Sequence, residues 1–283
     1  MENGGAQAGG LVDDTRLQEL VKTLVEDPKN AVAEREFWHE FCRLRDWNFV
    51  ASAEDAQKAI EAGQPGVPLQ IFRDGDRTLV PVYTSAALTT GVLGDKPVAA
   101  ITMPPEEALA YACAMRGRID GIMVNVIPGK ASGFGFRLPD LCAFFHNEMG
   151  YLPAAAIHSA VDYARGAQHQ AAFKMVHDAV ARCEKIYVAF KDESFAFVKD
   201  GENLWLWAFS DASIATRACE RHEGLRLIET TPAEVAQRIE QAVAESDGRI
   251  KGAVLNHPEN TVMLDHELLR ESLNAVAENQ QDA

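Results

Sequence analysis

Apolar residues in the first fifty positions recur at the three- and four-residue steps of amphipathic helices. The first series consists of Leu11, Leu17, Leu20, Val21, Leu24 and Val25. It lies behind Asp13, Asp14 and Thr15, which suit a helix start, and ahead of Pro28, which cannot continue a helix. A second series leads into the apolar segment 47–51 and consists of Phe37, Trp38, Phe41 and Leu44. The pattern predicts two helices followed by a strand.

From residue 67 onward the apolar runs are short and are separated by turn residues. Two of them, 69–71 and 79–83, flank an Asp74-Gly75 turn, which is a strong local signal for a β-hairpin. Later runs predict strands at 99–102, 121–127 and 133–138. Helices are predicted where Pro104 and Pro105 precede acidic residues, and over 139–149. Because strands and helices alternate, the pattern predicts an α/β fold.

The same series of signals returns in the second half of the chain. The hairpin segments 72–76 and 83–86 reappear as 198–202 and 209–212. In the same order, 102–107, 118–125 and 138–141 match 229–234, 249–256 and 264–268. Upstream, the helix around Phe37 and the strand 47–51 match the helix around Phe173 and the strand 186–190. This collinear agreement favours an internal duplication, and the alternative is two ordinary α/β domains that share generic turn chemistry.

The repeat fixes the predicted organisation of the chain. We expect an α/β (α+β) fold with two similar small domains, each with a mixed sheet, and an N-terminal helical arm. The predicted boundaries are 1–34 for a flexible N-terminus and helical arm, 35–150 for the first domain, and 151–283 for a helical connector and the second domain. His158, His169 and His177 lie in the connector, where they are either parts of a pH-sensitive joint or solvated helix residues. We favour solvated positions.

Several of these segments together resemble the amino-terminal domain of the SseB family. The matching places are Tyr83-Thr84-Ser85 at one strand end and the segment 125–129 at another, with a looser second match at 255–258. The resemblance spans about residues 35–146 and, less closely, 170–273. It implies SseB-like domains in two tandem copies of a bacterial protein, in a family whose domain is often described as type III secretion related. That family has no agreed enzymatic activity or catalytic residues.

Composition and charge exclude several classes of partner. The 283 residues carry a formal net charge of -15, which repels nucleic-acid backbones and anionic lipid. No apolar run approaches the roughly 20 residues that cross a bilayer, and the first ten residues lack the pattern of a signal peptide. The five cysteines are widely spaced, as expected of reduced thiols. We therefore expect a cytoplasmic protein that binds neither nucleic acid nor membranes.

The sequence offers no recognisable set of catalytic or metal-binding residues. No GxSxG, CxxC or HExxH motif is present, and the glycines around Phe134 lack the lysine and helix start of a phosphate loop. Cys142 and His146 lie four residues apart on a predicted helix, but two further ligands are wanting. We predict no enzyme activity, no catalytic residues, no cofactor and no metal.

Alternating aromatic residues mark one predicted strand of the second domain. Trp205, Trp207 and Phe209 lie two residues apart, so their side chains are expected on one face of the sheet. Either they fill the interior of the domain or they form an exposed anchor for a protein partner. These three residues are the predicted partner-binding site.

Polar residues lie at two predicted strand ends in each domain. Strand ends often border ligand clefts in α/β proteins, but short polar side chains also cap the following turn or helix. The residues that either bind a ligand or cap local structure are Tyr83, Thr84, Ser85, Asn125, Ser210, Asp211 and Asn256.

The predicted function is that of a non-catalytic adaptor that binds another protein. Its acidity suits a basic effector or a secretion-related partner, and the oligomeric state is left open, a homodimer included. The alternative is a sensor of a small molecule, such as an amino acid, that binds in a groove between the two repeats.

Overall fold

A computed structural model of the chain describes residues 14–64, 67–126, 134–192 and 194–281. The chain divides into two units, Met1–Met149 and Gly150–Ala283. Three predicted features lie partly outside the described residues: the start of the first helix at Leu11, the strand end at 127–129 and the residue Gly133.

The first unit begins with two helices and then builds a mixed sheet. Its elements are α1 (Asp14–Glu26), α2 (Ala31–Cys42), β1 (Trp47–Ser52), α3 (Ala53–Glu61), β2 (Phe72–Asp74), β3 (Arg77–Tyr83), β4 (Val98–Met103), α4 (Pro105–Ala114), β5 (Gly121–Val124), β6 (Phe134–Arg137) and α5 (Leu138–Met149). The strand order is β4-β1-β3-β5-β6, with β2 paired to β3. Only the β3–β5 pair is parallel among the described pairs of this sheet.

The second unit follows the same path. Its elements are α6 (Ile157–Ala167), α7 (Gln170–Ala181), β7 (Ile186–Lys191), β8 (Ser194–Phe195), β9 (Phe197–Asp200), β10 (Asn203–Phe209), α8 (Ala212–Arg221), β11 (Arg226–Thr230), α9 (Pro232–Glu245), β12 (Ile250–Leu255), β13 (Val262–Asp265) and α10 (His266–Gln281). The strand order is β11-β7-β10-β12-β13, with β9 paired to β10, and the β10–β12 pair is again parallel. The predicted α/β fold with two mixed-sheet domains is confirmed.

The first helix is packed onto its unit. Its apolar stripe, Leu17, Leu20, Val21 and Leu24, is buried, and α1 packs against α2 and β6. The predicted arm is therefore a structural part of the first unit.

Helix starts follow the local signals of the sequence. Pro105 and Pro232 occupy the first turns of α4 and α9, and Thr231 with Glu234 forms a capping box at the start of α9. The sequence analysis missed α3, although Ser52 caps it and Glu54 and Asp55 lie in its first turn. Within the described residues, none of the helices combines the length and the apolar composition of a membrane span.

One glycine in each unit lets the strands approach. A Cβ built on Gly121 would lie 1.8 Å from the carbonyl oxygen of Phe136, and one on Gly252 would lie 2.0 Å from that of Leu264. Gly121 and Gly252 occupy the same register, opposite Arg137 and Asp265 on the neighbouring strands. Glycine is therefore required at this position of both sheets, because any side chain would collide with the backbone of the next strand.

We expect Gly252→Ala to lower the free energy of unfolding of the second unit by at least about 3 kcal/mol, because backbone of β13 must move to admit the methyl group. Gly166→Ala is the matched control, since a Cβ there meets nothing within 4 Å and the residue lies in α6. The control should be neutral or stabilising by up to about 1 kcal/mol. Urea unfolding followed by circular dichroism measures both, and equal effects would refute the close-approach argument.

Candidate functional site: a cleft in the second unit

An asparagine joins the ends of the two parallel strands in each unit. Asn125 adopts a positive φ of 52°, and its backbone N–H donates to the carbonyl of Val82 over 2.8 Å. Its side-chain Oδ1 accepts from the backbone N–H of Thr84 at 2.9 Å, and its Nδ2 donates to the Thr84 hydroxyl at 3.1 Å. The side chain thus holds the chain where β3 ends.

The second unit repeats this arrangement bond for bond. Asn256 has a φ of 56° and donates its backbone N–H to Ala208 over 2.9 Å. Its Oδ1 accepts from the N–H of Ser210 and its Nδ2 donates to the Ser210 hydroxyl, both over 2.9 Å. Asn125 and Asn256, with Thr84 and Ser210, therefore have their side chains engaged in cohesion of the fold.

The carbonyl that follows each asparagine is also satisfied by an aromatic donor. Tyr83 donates its hydroxyl to the carbonyl of Val126 over 2.6 Å, and burial raises the pKa of this phenol to about 12. In the second unit the indole N–H of Trp207 donates to the carbonyl of His257 over 3.1 Å. The donors differ because Phe209, at the position of Tyr83, has no hydroxyl.

The two remaining strand-end residues also serve local structure. Asp211 caps α8, where its Oδ1 accepts from the backbone N–H groups of Ser213 and Ile214. The carbonyl of Ser85 accepts from the N–H of Leu88 in a short 3-10 turn at Ala86–Thr89. The capping interpretation thus accounts for the strand ends.

The prediction of an exposed aromatic anchor is wrong for two of its three residues. Trp207 is 7% exposed and Phe209 is fully buried. Both belong to an apolar cluster under α8 that also contains Ala189, Ile214, Ala215, Ala218 and Val254. Trp205 is only partly buried. Trp207 and Phe209 therefore stabilise the interior of the second unit. Of the three aromatic residues, only Trp205 lines a surface cleft.

This cleft has a volume of about 570 Å³ and lies within the second unit. Its walls are mostly apolar and come from α6, α7, β10, β13 with the residue before it, and the start of α10. The lining residues are Arg165, Gln170, Phe173, His177, Trp205, Thr261, Val262, Met263, Asp265 and Leu268. The volume lies within the usual range for pockets that bind small molecules.

His177 lines this cleft with its imidazole almost fully buried. The residue is 1% exposed, and its Nδ1 lies 2.8 Å from the carbonyl oxygen of Phe173, to which it can only donate. Burial lowers the pKa of His177 below the usual 6.5, against the raising effects of the Phe173 carbonyl, Asp265 and Asp178. The ring is therefore neutral at pH 7, and its Nε2 is an acceptor without a partner.

Trp205 lines the same cleft and also packs against the apolar cluster under α8. Its indole Nε1 is shielded from solvent and has no hydrogen-bond partner among the described residues. Buried polar atoms are normally satisfied, and leaving one without a partner costs about 1–3 kcal/mol. Both atoms are shielded from solvent, and Nε1 of Trp38 in the first unit is in the same condition, so these atoms do not by themselves mark a ligand site.

The first unit fills the equivalent place with aromatic rings. When the units are aligned at the helix caps Asn30 and His169, Trp38 corresponds to His177. The Trp38 ring packs against Phe136 and Phe144, with centroids 4.4 Å apart in each pair. The sheet register places Leu264 at the position of Phe136 and Val262 at that of Phe134. Smaller side chains thus leave a cleft in the second unit where the first has an aromatic core.

The sequence analysis missed this site because it treated the connector histidines as solvated. That prediction is wrong for His177, which is buried. His169 caps α7 by accepting from the N–H of Ala172, and His158 lies 3.2 Å from the Asn260 amide. A cap-to-cap alignment of the two repeats would have placed His177 opposite Trp38, a large apolar residue, and so would have indicated a buried position.

Cys142, one of the two residues considered for metal binding, serves packing. Cys142 is buried with its Sγ 3.5 Å from that of Cys113. Within the described residues, no group of three or more histidines, cysteines and acidic residues is arranged to hold a metal ion.

Comparisons with known proteins leave the family open. No family model matches the chain. No curated protein matches it significantly. The solved structure of Tic22 from Plasmodium falciparum aligns with 87% of this chain and 98% of its own, at 9% sequence identity and a TM-score of 0.18. A likeness this weak carries no argument, and the resemblance to the SseB family stays a prediction.

We expect Asn256→Ala to lower the free energy of unfolding of the second unit by about 2–4 kcal/mol, because it removes buried hydrogen bonds and leaves a Cβ residue at positive φ. Asn256→Gly should cost less, since glycine adopts this conformation freely. Denaturant unfolding of both variants tests the assignment. If both lose the same stability, the left-handed backbone contributes nothing.

Protonation of His177 should make the stability of the protein depend on pH. Its folded pKa is lower than its unfolded pKa, so protons bind better to the unfolded chain and stability is lost as the pH falls below about 6.5. The neighbouring charges are Lys174, Asp178 and Asp265. His177→Gln should lose less stability than the native protein between pH 7.5 and 5. Parallel profiles from denaturant unfolding would show that His177 does not titrate across the unfolding transition.

Proposed function

We propose that the second unit binds a small molecule in its cleft. The observation that carries the proposal is a cleft of about 570 Å³ with mostly apolar walls, in a place where the first unit has packed aromatic rings. Apolar walls with a few polar groups at fixed places are the usual design of a small-molecule site.

This proposal develops the alternative prediction of a small-molecule sensor and moves the predicted binding site. The sequence analysis expected a groove between repeats, whereas the supporting residues all belong to the second unit. The cleft follows from divergence of the copies, because the equivalent volume in the first unit is occupied by Trp38, Phe134 and Phe136. The predicted adaptor role, in a cytoplasmic bacterial protein without enzyme activity, stays a prediction.

A thermal-shift screen tests the proposal. The panel contains the twenty amino acids, apolar dipeptides, nucleosides and nucleotides. A compound present at a hundred times its Kd should stabilise the native unit by about 2.7 kcal/mol and raise the Tm by several degrees.

Two variants locate the binding. Val262→Phe restores the side-chain type that the first unit carries at Phe134 and should abolish the shift by filling the cleft. Ile228→Phe adds a ring at an exposed position of β11, at the opposite edge of the sheet, and should keep it. Trp205→Phe replaces the indole on the cleft wall by a smaller ring and should weaken the shift, which provides a second test should Val262→Phe prove unstable. A panel without any shift, or a shift that survives both cleft variants, contradicts the proposal.

A further inference from the structure

The edge strand β4 of the first unit has an open side. Among the described strand pairs β4 joins only β1, in a register that runs from Trp47 opposite Met103 to Ser52 opposite Val98. An unpaired sheet edge presents a row of backbone N–H and C=O groups that can pair with another strand. This edge belongs to the first unit, so a role for it is independent of the cleft in the second.

The hydrogen bonds around β1 show which backbone groups of β4 face outward. Residues of an antiparallel pair alternate between those that bond to the partner strand and those that point away from it. The Ala53 N–H donates to the carbonyl of Pro97 over 3.1 Å, which fixes this alternation. Accordingly, the carbonyl of Val50, opposite Ala100, accepts from the N–H of Gln70 on the other side of β1 over 2.7 Å. The outward backbone groups of β4 belong to Val98, Ala100 and Thr102, and they have no hydrogen-bond partner within the described residues.

The strand β4 carries none of the residues that usually protect a sheet edge. Its six residues, Val98–Met103, include no charged side chain and no proline, and Ala100 and Thr102 are exposed. Natural edge strands are commonly protected by charged side chains or by proline. The equivalent edge strand of the second unit, β11, has Arg226 and Glu229 among its five residues. Of these two edges, only that of the first unit is uncharged, which suits it to accept a further strand.

The two faces of β4 set the side-chain pattern of an added strand. Ala99, Ile101 and Met103 lie on one face and are partly buried, whereas Ala100 and Thr102 lie on the other and are exposed. Side chains of neighbouring strands pack in pairs on each face of a sheet. A strand that places apolar residues beside Ile101 and polar residues beside Thr102 therefore fits this edge.

Acidic groups outnumber basic ones at both ends of β4. Three carboxylates and two amines lie near the Val98 end, on Glu54, Asp55 and Asp95 and on Lys58 and Lys96. Three carboxylates and one guanidinium lie near the Met103 end, on Asp46, Glu106 and Glu107 and on Arg45. Basic residues at both ends of an added strand match this edge in either strand direction.

The same charges disfavour pairing of β4 with a second copy of the chain. In either strand direction, self-pairing brings together strand ends that each carry an excess of carboxylates. Each chain also has a formal net charge of -15, which opposes association of two copies. A basic segment of another protein is therefore the better match.

We propose that β4 accepts an extended segment of a basic partner protein as an additional strand of the sheet. The segment alternates apolar and polar residues and carries lysine or arginine at both ends. Its backbone bonds to the outward groups of Val98, Ala100 and Thr102.

Isothermal titration calorimetry of the full-length chain with the peptide KKVTVTVKK, acetylated and amidated at its ends, tests this inference. We expect KKVTVTVKK to bind, and EEVTVTVEE and KKVTPTVKK each to bind at least about tenfold more weakly. The proline peptide keeps every basic charge but cannot complete the ladder of backbone hydrogen bonds. If KKVTVTVKK does not bind, or if either control peptide binds as tightly, the proposal is overturned.

Proline substitutions identify the strand that pairs. Ala100→Pro removes an outward N–H and keeps the hydrogen bonds to β1, so it should fold and weaken KKVTVTVKK binding at least about tenfold. Glu229→Pro on β11 is the matched control and should leave the affinity unchanged. Glu229 also faces outward, because the carbonyl of Ala189, opposite Leu227, turns away from β11 to bond the N–H of Ala196 over 2.9 Å. An Ala100→Pro chain with native affinity refutes pairing at β4.

Hydrogen exchange of the native chain, followed by NMR, gives a test that needs no variant to fold. Addition of KKVTVTVKK should slow exchange of the backbone amides of Val98, Ala100 and Thr102 at least about tenfold. Exchange at Leu227 and Glu229 on β11 should not change. Protection on β11 instead of β4, or on neither strand, contradicts the proposal.

Discussion

The fold depends on how each unit ties together its parallel central strands. Only β3 with β5 and β10 with β12 run parallel among the described strand pairs, and parallel strands need a long connection that brings the chain back in register. In each unit an asparagine beyond the second strand bonds to the backbone and hydroxyl beyond the first. This cross-link fixes the ends of both central strands, and the edge strands are ordered around them.

A shared scaffold explains how one copy acquired a cleft and the other did not. The backbone demands are met alike in both units, by Asn125 and Asn256 and by the glycines that admit the neighbouring strand. The side chains between α7 and β13 are under no such demand, so smaller residues there preserve the topology. The residue at the position of Trp38 then becomes His177, a polar group in a place that the fold buries.

Local signals in the sequence were sufficient for most of the fold. Turn residues, proline at helix starts and apolar spacing act over a few residues, and they predicted the hairpins, α4, α9 and the order of elements in both halves. The helix α3 was missed although its cap is local, because its apolar residues are few and small. Local signals do not give the burial of Trp207, which depends on the packing of α8 against the sheet, or that of His177, whose helix packs against α10, distant in sequence.

The carbonyl beyond each asparagine shows how two copies of a domain drift apart while keeping one requirement. In the first unit a phenol from the strand end reaches it, and in the second an indole from two residues earlier does so. Either donor is sufficient to satisfy the carbonyl. A hybrid strand that combined Pro81 of the first unit with Phe209 of the second would leave this carbonyl without an aromatic donor, so these strand ends can be exchanged between the copies only as whole segments.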